Sequence, residues 1–140
     1  MRTYTVDGIS TPGQTYRFIV RAVNIVGASS NSAQYSIIGA TVPNPPTSFI
    51  RNNLLTTKSQ VAFSWTAPTS NGGSSVSEYS IERMDNDSYI LVTTGLTATS
   101  YIQTGLSAGT SYSFRVKARN AVGFSSYSTV FTIIAATVPS

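Results

Sequence analysis

The fold is decided by residues 106–123, which read LSAGTSYSFRVKARNAVG. After a turn at Gly109, apolar side chains alternate with polar ones, at Tyr112, Phe114, Val116 and Ala118. A period of two is typical of a strand with one face in a core. Residues 9–27 repeat the stretch as ISTPGQTYRFIVRAVNIVG, and the copies align without a gap from Tyr16 and Tyr112 onward. A repeat of this length predicts two related modules in line.

The composition favours an all-β chain with many turns. The 140 residues are 41% hydrophobic and only 10% charged, against roughly 25% charged in typical globular chains. The net charge is +4, but no two basic residues are adjacent, so we expect no nucleic-acid partner. An acidic glycan stays open as a partner. We also expect no membrane insertion, because no stretch approaches the ~18 apolar residues that a membrane helix needs.

The residue types exclude most catalytic chemistry. The chain has neither histidine nor cysteine, which removes the usual general base, the commonest metal ligand and the thiol nucleophile. Glu78 and Glu82 are four residues apart on one predicted strand, so their carboxylates would lie about 13 Å apart, too far for glycosidase chemistry. We therefore predict no enzyme activity, no cofactor and no metal site.

Prolines mark the domain boundary. Three of the four residues 43–46 are proline, which cannot donate ladder hydrogen bonds and stiffen the chain. We predict a C-terminal half-module of about three strands at 1–42, a linker at 43–46 and a complete module at 47–140. In the complete module, turns separate about seven short strands, the pattern of an antiparallel two-sheet sandwich. The predicted strands lie at 48–50, 61–66, 78–82, 89–93, 99–103, in the repeated stretch and at 130–134.

The complete module resembles a fibronectin type III domain. The matching residues are Pro45-Pro46, Trp65, Pro68 with Gly72-Gly73, Tyr79-Ser-Ile81, Leu106-x-x-Gly109-Thr110-x-Tyr112, and Ala118-x-Asn120-x-x-Gly123-x-Ser125. Residues 1–42 resemble only the last three strands of a preceding copy. The resemblance implies a seven-stranded immunoglobulin-like β-sandwich. The implied core residues are Trp65, Tyr79, Leu106, Tyr112, Phe114 and Val116.

The resemblance also implies a tyrosine corner and a paired basic strand. Leu106 and Tyr112 would form the corner, in which the ring packs inward and its hydroxyl bonds nearby backbone. The sixth strand would carry a row of cations on its outer face, at Arg115, Lys117 and Arg119. In the family's sheet order the third strand neighbours the sixth, so Glu78 and Glu82 would face these cations. Cross-strand pairing is the first interpretation, and an anion- or partner-binding stripe stays open.

Few other motifs indicate a partner. Asp85 to Ser88 is predicted to be a hairpin turn rather than a calcium loop, which needs more oxygen ligands. It contains Asn86, which begins the one glycosylation sequon and would be usable if the protein is secreted by a eukaryote. There is no Arg-Gly-Asp tripeptide and no Trp-Ser-x-Trp-Ser motif of cytokine receptors.

The expected function is that of a non-catalytic structural or adhesive module in an extracellular tandem-repeat protein, acting as a spacer and as a protein–protein interaction or filament-building unit. The expected partners are neighbouring repeats or other copies of the chain. Two alternatives stay open: an accessory domain of a secreted carbohydrate-active enzyme, and an anion- or glycan-binding module. A cytoplasmic location is not excluded. We expect residues 1–42 to be completed by strands from another chain or from a longer polypeptide, because a sheet of two or three strands is only marginally stable alone.

Overall fold

The computed structural model describes residues 3–5 and 11–136, and these form only strands and loops. The strands are β1 (Thr15–Phe18), β2 (Tyr35–Ile38), β3 (Thr47–Arg51), β4 (Val61–Thr66), β5 (Glu78–Asp85), β6 (Ser88–Leu96), β7 (Ser100–Gln103), β8 (Ser111–Arg119) and β9 (Phe131–Ile134). All strand pairs are antiparallel. The predicted all-β fold class is therefore confirmed.

The seven strands from β3 to β9 make a two-sheet sandwich. One sheet has the order β3-β4-β7 and the other the order β6-β5-β8-β9. The inner faces of both sheets carry the apolar side chains of each alternating pattern, and burying these faces against one another is what stabilises such a sandwich. The predicted seven-stranded immunoglobulin-like sandwich is confirmed.

Aromatic rings fill the core between the sheets. Phe63 on β4 is 1% exposed, and its ring centroid lies 4.9 Å from that of Phe114 on β8 in the opposite sheet. Trp65 is 4% exposed and meets the Tyr79 ring edge-on at 5.4 Å. Such contacts between sheets add to the stabilisation from buried area.

Ser80 is more buried than its position in the alternating pattern predicts. The alternation with Tyr79 and Ile81 predicts that Ser80 lies on the outer face of β5, but its side chain is only 2% exposed, because β6 and β8 flank β5 on both sides.

The β5–β6 hairpin turns without a glycine. Asn86 and Asp87 have positive φ angles of 47° and 66°, and these residue types tolerate the left-handed region better than most. Consecutive positive φ values are typical of the tight turns whose twist matches that of paired strands. The predicted hairpin turn lies here, although β6 runs from Ser88 to Leu96 and is longer than the predicted 89–93.

The N-terminal segment forms a two-stranded sheet of β1 and β2. The alternating pattern predicts a strand that continues to Val23, but β1 ends at Phe18. Its counterpart β8 pairs with β5 on one side and β9 on the other, whereas among the described residues β1 pairs only with β2. The sequence also predicts a short extended run at residues 4–6, but Tyr4 and Thr5 lie outside any strand and residue 6 is outside the described residues.

Candidate functional site

The basic residues of β8 lie in a stack of aromatic rings. The Arg115 guanidinium carbon lies 3.7 Å from the centroid of the Tyr89 ring and 3.7 Å from that of Tyr127. The guanidinium is therefore sandwiched between two rings, each of which attracts a cation through its electron-rich face. This arrangement fixes the orientation of Arg115 and covers both of its flat faces.

The stack continues along β8. The Lys117 ammonium lies 4.5 Å from the centroid of the Phe124 ring and 4.8 Å from that of Tyr127. It also donates a hydrogen bond of 3.2 Å to the Tyr127 hydroxyl. The Arg119 guanidinium carbon lies 5.2 Å from the centroid of the same Phe124 ring. We call Tyr89, Arg115, Tyr127, Lys117, Phe124 and Arg119 the cation–aromatic stack.

Two carboxylates offset the charge of the cation–aromatic stack. Arg115 forms an ion pair with Glu82 at 2.6 Å, and Tyr127 donates a 2.6 Å hydrogen bond to the other oxygen of that carboxylate. Glu78 lies 3.6 Å from Arg119, whose side chain is 51% exposed. Opposite charges on neighbouring strands stabilise the sheet modestly. The structure thus brings together the predicted acids and cations, and Arg119 is the most exposed of the cations.

Glu82 is held in its ionised form. Burial alone would raise the pKa of its carboxyl, but hydrogen bonds from Tyr127 and Arg115 and the positive charges of Arg115 and Lys117 lower the pKa below its usual value. A carboxylate that accepts charge-assisted hydrogen bonds is expected to titrate in this direction. In the stack, Glu82 therefore serves as the counter-ion of Arg115.

The segment after Gly123 positions two of the rings, and sequence reasoning missed it. Ser125 Oγ accepts a 3.0 Å hydrogen bond from the Ala118 amide, and Ser128 Oγ accepts one of 3.0 Å from the Val116 amide. These bonds hold the irregular segment 124–128 along the edge of β8 and turn Phe124 and Tyr127 onto its outer face. Residues 124–128 read Phe-Ser-x-Tyr-Ser, which has the spacing of the absent Trp-Ser-x-Trp-Ser motif. This spacing of aromatic residues and serines is the sequence feature from which the segment could have been predicted.

The first repeat has the serines without the rings. Ser29 Oγ accepts a 2.8 Å hydrogen bond from the Ala22 amide, and Ser32 Oγ accepts one of 2.8 Å from the Val20 amide. Ala28 and Asn31 stand where the second repeat has Phe124 and Tyr127. The serine bonds are thus common to both repeats, whereas the cation–aromatic stack belongs to the second module.

The predicted core residues lie between the sheets. Tyr112 is half-buried, and its hydroxyl accepts a 2.9 Å hydrogen bond from the Ser107 amide. The geometry is that of a tyrosine corner, although the bond goes to the residue after Leu106. The other predicted core residues have exposures of 9% or less: Trp65, Tyr79, Leu106, Phe114 and Val116.

A second candidate site is the junction between the two modules. The Thr41 amide donates a 2.8 Å hydrogen bond to the Gly72 carbonyl. The Thr41 carbonyl in turn accepts a 2.7 Å bond from the Asn120 side-chain amide. Asn44 adds a backbone bond of 2.9 Å to Ser70. Two loops of the complete module therefore hold the end of the half-module, at Thr41, and the start of the linker, at Asn44.

Asn120 organises this junction from a buried position. It is 2% exposed, and its side-chain nitrogen also donates a 2.8 Å bond to the Asn71 carbonyl. Its side-chain oxygen accepts bonds from the Val122 and Gly123 amides at 2.9 and 3.2 Å. A buried amide with all these bonds satisfied fixes the relative position of the three segments that it joins.

Glycines allow the junction to close. A Cβ on Gly72 would overlap the Thr41 carbonyl, and a Cβ on Gly73 would overlap the Gly13 amide. The loop of the complete module thus touches the half-module backbone to backbone. Close approach of this kind is a main structural use of glycine.

The half-module leaves an apolar groove open. Its lining includes Phe18, Val20, Tyr35 and Ile37, and Val20 and Tyr35 are 70% and 71% exposed. The alternating pattern assigns Phe18, Val20 and Tyr35, together with Tyr16, to a core face. Their exposure follows from the lack of a second sheet over β1 and β2 in the part of the chain that the structure describes.

The remaining candidates lie at the surface. Asn86 is exposed in the β5–β6 turn. Among residues 3–5 and 11–136, no three acidic, histidine or cysteine side chains cluster as metal ligands would. The same residues contain no helix long and apolar enough to cross a membrane.

Comparison with known proteins identifies the family. The model of the fibronectin type III domain matches residues 44–134. The chain belongs to the fibronectin type III domain family. The resemblance drawn from Trp65, the tyrosine corner and the Asn120 loop is therefore confirmed.

The proteins that this fibronectin type III chain resembles include two enzymes and, among solved structures, titin. The chain is 33% identical over 131 residues to endoglucanase B of Cellulomonas fimi, covering 86% of this chain and 12% of that protein. It is 34% identical over 129 residues to chitinase A1 of Niallia circulans, covering 86% and 17%. A crystal structure of consecutive titin domains is similar with a TM-score of 0.65 and 29% identity, covering 86% of this chain and 40% of that one. The chain thus spans only a small part of the curated relatives it matches, and the matching family is a non-catalytic module.

Proposed function

We propose that this chain is a non-catalytic spacer in an extracellular tandem-repeat protein, in which adjacent fibronectin type III modules are held in one relative orientation. The observation that carries the proposal is the junction. Thr41 is bonded through its amide to Gly72 and through its carbonyl to Asn120. A junction whose backbone is bonded through both its amide and its carbonyl to the complete module transmits position from one module to the next, whereas a free linker would allow the modules to tumble independently.

Spin-label distances test this proposal. The chain has no cysteine, so labels at Ser36→Cys on β2 and Asn53→Cys, both exposed, report one distance between the modules. We expect a single narrow distance distribution by double electron–electron resonance. A broad distribution would overturn the proposal.

A matched pair of glycine variants links that distance to the junction. Gly72 and Gly105 both have φ of +72°, but a Cβ at Gly105 would meet nothing within 4 Å. Both Gly→Ala variants therefore carry similar backbone strain, and only Gly72→Ala also clashes with Thr41. Gly72→Ala should broaden the distribution and Gly105→Ala should leave it unchanged. Equal effects of the two variants would contradict a role for the junction.

The half-module is proposed to be completed by a neighbouring repeat. Its exposed apolar groove and its unpaired β1 edge need covering strands equivalent to those that cover β8. The partner strands would come from the same polypeptide or from a second copy, which makes an assembly of repeats. Sedimentation distinguishes the two sources, because strands supplied by a second copy would give a dimer or a larger assembly, whereas strands from the same polypeptide would not. A monomeric chain whose residues 11–42 resist protease would contradict both.

An accessory role in a carbohydrate-active enzyme is the second candidate function. It is favoured by the relatives, an endoglucanase and a chitinase of which the chain matches only 12% and 17%. As an accessory module, the chain would be retained on insoluble cellulose or chitin, or would separate a catalytic domain from its surface. A pull-down assay on insoluble cellulose and on insoluble chitin tests whether the chain is retained on either polymer. A chain that acts only as a spacer is expected to stay in the supernatant.

Binding of an acidic glycan through Arg115, Lys117 and Arg119 has less support. Arg115 is enclosed by two rings and paired with Glu82, and Glu78 lies near Arg119. An anion would have to compete with these partners. Retention on heparin that falls with salt, and that Arg119→Ala reduces, would restore this candidate.

A further inference from the structure

The loop that closes the junction contains a peptide bond capable of spontaneous chemistry. Asn71-Gly72 is the only Asn-Gly pair in the sequence. The backbone nitrogen that follows an asparagine can attack the side-chain amide, which releases ammonia and closes a succinimide ring. Glycine hinders this attack least because it has no side chain. The loop therefore combines a structural contact with a residue that can modify itself.

The side chain of Asn71 is positioned as the electrophile. Asn71 is exposed, and its oxygen Oδ1 accepts a 2.9 Å hydrogen bond from the Gly73 amide. A donor placed on a carbonyl oxygen stabilises the negative charge that develops there when the carbon is attacked. The hydrogen bond that shapes the turn therefore also polarises the side-chain carbon Cγ.

The nucleophile is restrained by the junction. Gly72 is buried, and its amide donates a 3.3 Å bond to Ser70 Oγ. The Asn71 carbonyl accepts a 2.8 Å bond from the Asn120 side chain. The Gly72 carbonyl accepts one of 2.8 Å from the Thr41 amide. Ring closure removes the hydrogen of the Gly72 nitrogen and brings that nitrogen to bonding distance from Cγ, so it displaces the peptide from these partners.

One product of the reaction does not fit the closed joint. Water opens the ring at either of its two carbon–nitrogen bonds, and the products are aspartate and isoaspartate. In isoaspartate the main chain passes through the former side chain and gains a methylene group. A Cβ on Gly72 would already overlap the Thr41 carbonyl, and one on Gly73 would overlap the Gly13 amide. A longer backbone in this loop therefore has no room while the joint is closed.

We propose that Asn71-Gly72 is a self-modification site that converts the joint irreversibly from a held to a free state. The Gly72 nitrogen loses its proton to solvent and bonds to Asn71 Cγ, and the bond from Cγ to Nδ2 breaks as ammonia leaves. Hydrolysis of the ring by water then leaves isoaspartate or aspartate at position 71. The closed joint protects Asn71, so the product accumulates with the time that the joint is open. This inference rests on the proposed spacer function and adds a regulation of the same joint.

Peptide mass spectrometry of the full chain during storage in warm, mildly alkaline buffer tests the inference. The exchange of amide for acid is measured at Asn71, and isoaspartate is separated from aspartate by chromatography. Thr41→Pro lacks the amide that bonds Gly72, and we expect it to raise the rate at Asn71 about tenfold, as the loss of one or two hydrogen bonds predicts. Thr41→Ala keeps that amide and should leave the rate unchanged. Asn120→Ala, which removes the donor to the Asn71 carbonyl, should raise the rate as Thr41→Pro does.

Asn86 is the internal control in the same digests. It is exposed in the β5–β6 turn and is followed by aspartate. Its rate should be the same in every variant, because the variants alter only the junction. A parallel rise at Asn86 and Asn71 would assign the effect to general unfolding and would overturn the inference.

Spin-label distances connect the modification to the joint. In the chain labelled at Ser36→Cys and Asn53→Cys, the distribution should broaden in proportion to the isoaspartate formed. A fresh Asn71→Asp chain has an ordinary backbone and a carboxylate oxygen for the Gly73 amide, so its distribution should stay narrow.

The outcomes separate the two proposals. A narrow distribution in the fresh chain, with equal rates at Asn71 in Thr41→Pro and Thr41→Ala, overturns the inference and leaves the spacer proposal standing. Isoaspartate that forms without broadening the distribution does the same. A distribution that is broad before storage overturns both proposals.

Discussion

The serine bonds beside β8 make a sharp prediction about stability. Ser128 is 8% exposed, and its hydroxyl accepts the 3.0 Å bond from the Val116 amide and donates one of 2.9 Å to the Thr129 carbonyl. Val116 itself is fully buried. In Ser128→Ala the Val116 amide therefore loses its partner in a place where water does not readily replace it.

The expected loss follows from the cost of an unsatisfied buried donor. That cost is about 1–3 kcal/mol in free energy of unfolding. For a domain of this size each kcal/mol lowers the melting temperature by roughly 4–8 °C, so Ser128→Ala should lower it by at least about 4 °C. Urea denaturation gives the free energy, and amide hydrogen exchange at Val116 locates the change.

The first repeat supplies the control. Ser32 makes the equivalent bond to the Val20 amide at 2.8 Å, but both residues are exposed. Water can replace the hydroxyl there, so Ser32→Ala should change the free energy of unfolding by less than about 0.5 kcal/mol. Equal losses in the two variants, or no loss in Ser128→Ala, would refute the argument that burial sets the value of this bond.

Three further predictions concern the core, the corner and the stack. Trp65→Ala should lower the free energy of unfolding by about 3–5 kcal/mol in urea denaturation because it empties a filled core site, whereas Leu54→Ala, at a side chain 95% exposed, should have little effect. Tyr112→Phe should cost about 0.5–1.5 kcal/mol in the same assay, the usual value of one hydrogen bond; no loss would mean that the corner bond does not contribute. The lowered pKa of Glu82 means that its carboxylate stabilises the fold fully above the unfolded-state pKa of about 4.3, and that this contribution is lost as the pH falls through the lower folded-state pKa,. Glu82→Gln should therefore flatten the fall in stability on acidification below about pH 5, and an unchanged slope would contradict the counter-ion role.

Alternation and turn chemistry were enough to predict most of the sandwich. The strands carrying Trp65, Tyr79 and Phe114 each place alternate side chains inward, and Asn86-Asp87 turns the chain from the Tyr79 strand, β5, into β6. Alternation and turn residues depend only on neighbours along the chain, so they can be recognised in a single sequence. The pairing of Glu82 with Arg115 needed one non-local assumption, the order of strands in the sheet, which the family resemblance supplied.

The cation–aromatic stack was not predicted because its rings come from two separate places. Tyr89 lies on β6, whereas Phe124 and Tyr127 lie in an irregular segment with no period of two. That segment is directed by serine hydroxyls, not by burial of an alternating face. Its geometry is therefore invisible to pattern analysis, although the spacing of aromatic residues and serines marks it.

The junction escaped prediction for a different reason. Gly72, Gly73 and Asn120 read as ordinary loop residues, because turns commonly use glycine and asparagine. Their role depends on how near the linker passes, and only coordinates show that a Cβ on Gly72 would overlap the Thr41 carbonyl. The proline-rich stretch indicated a stiff spacer, but not what holds it in place.

Comparison of the two repeats distinguishes the features that the local sequence determines from those that strand pairing determines. Both contain the alternating pattern and both form the serine bonds, so these bonds need only the chain nearby. The strands nevertheless differ, since β1 is four residues long and β8 is nine. The additional residues of β8 are those that pair with β5, at Arg115 to Arg119. The pattern therefore specifies which face of a strand is buried, while the length of the strand is set by the neighbour that satisfies its backbone.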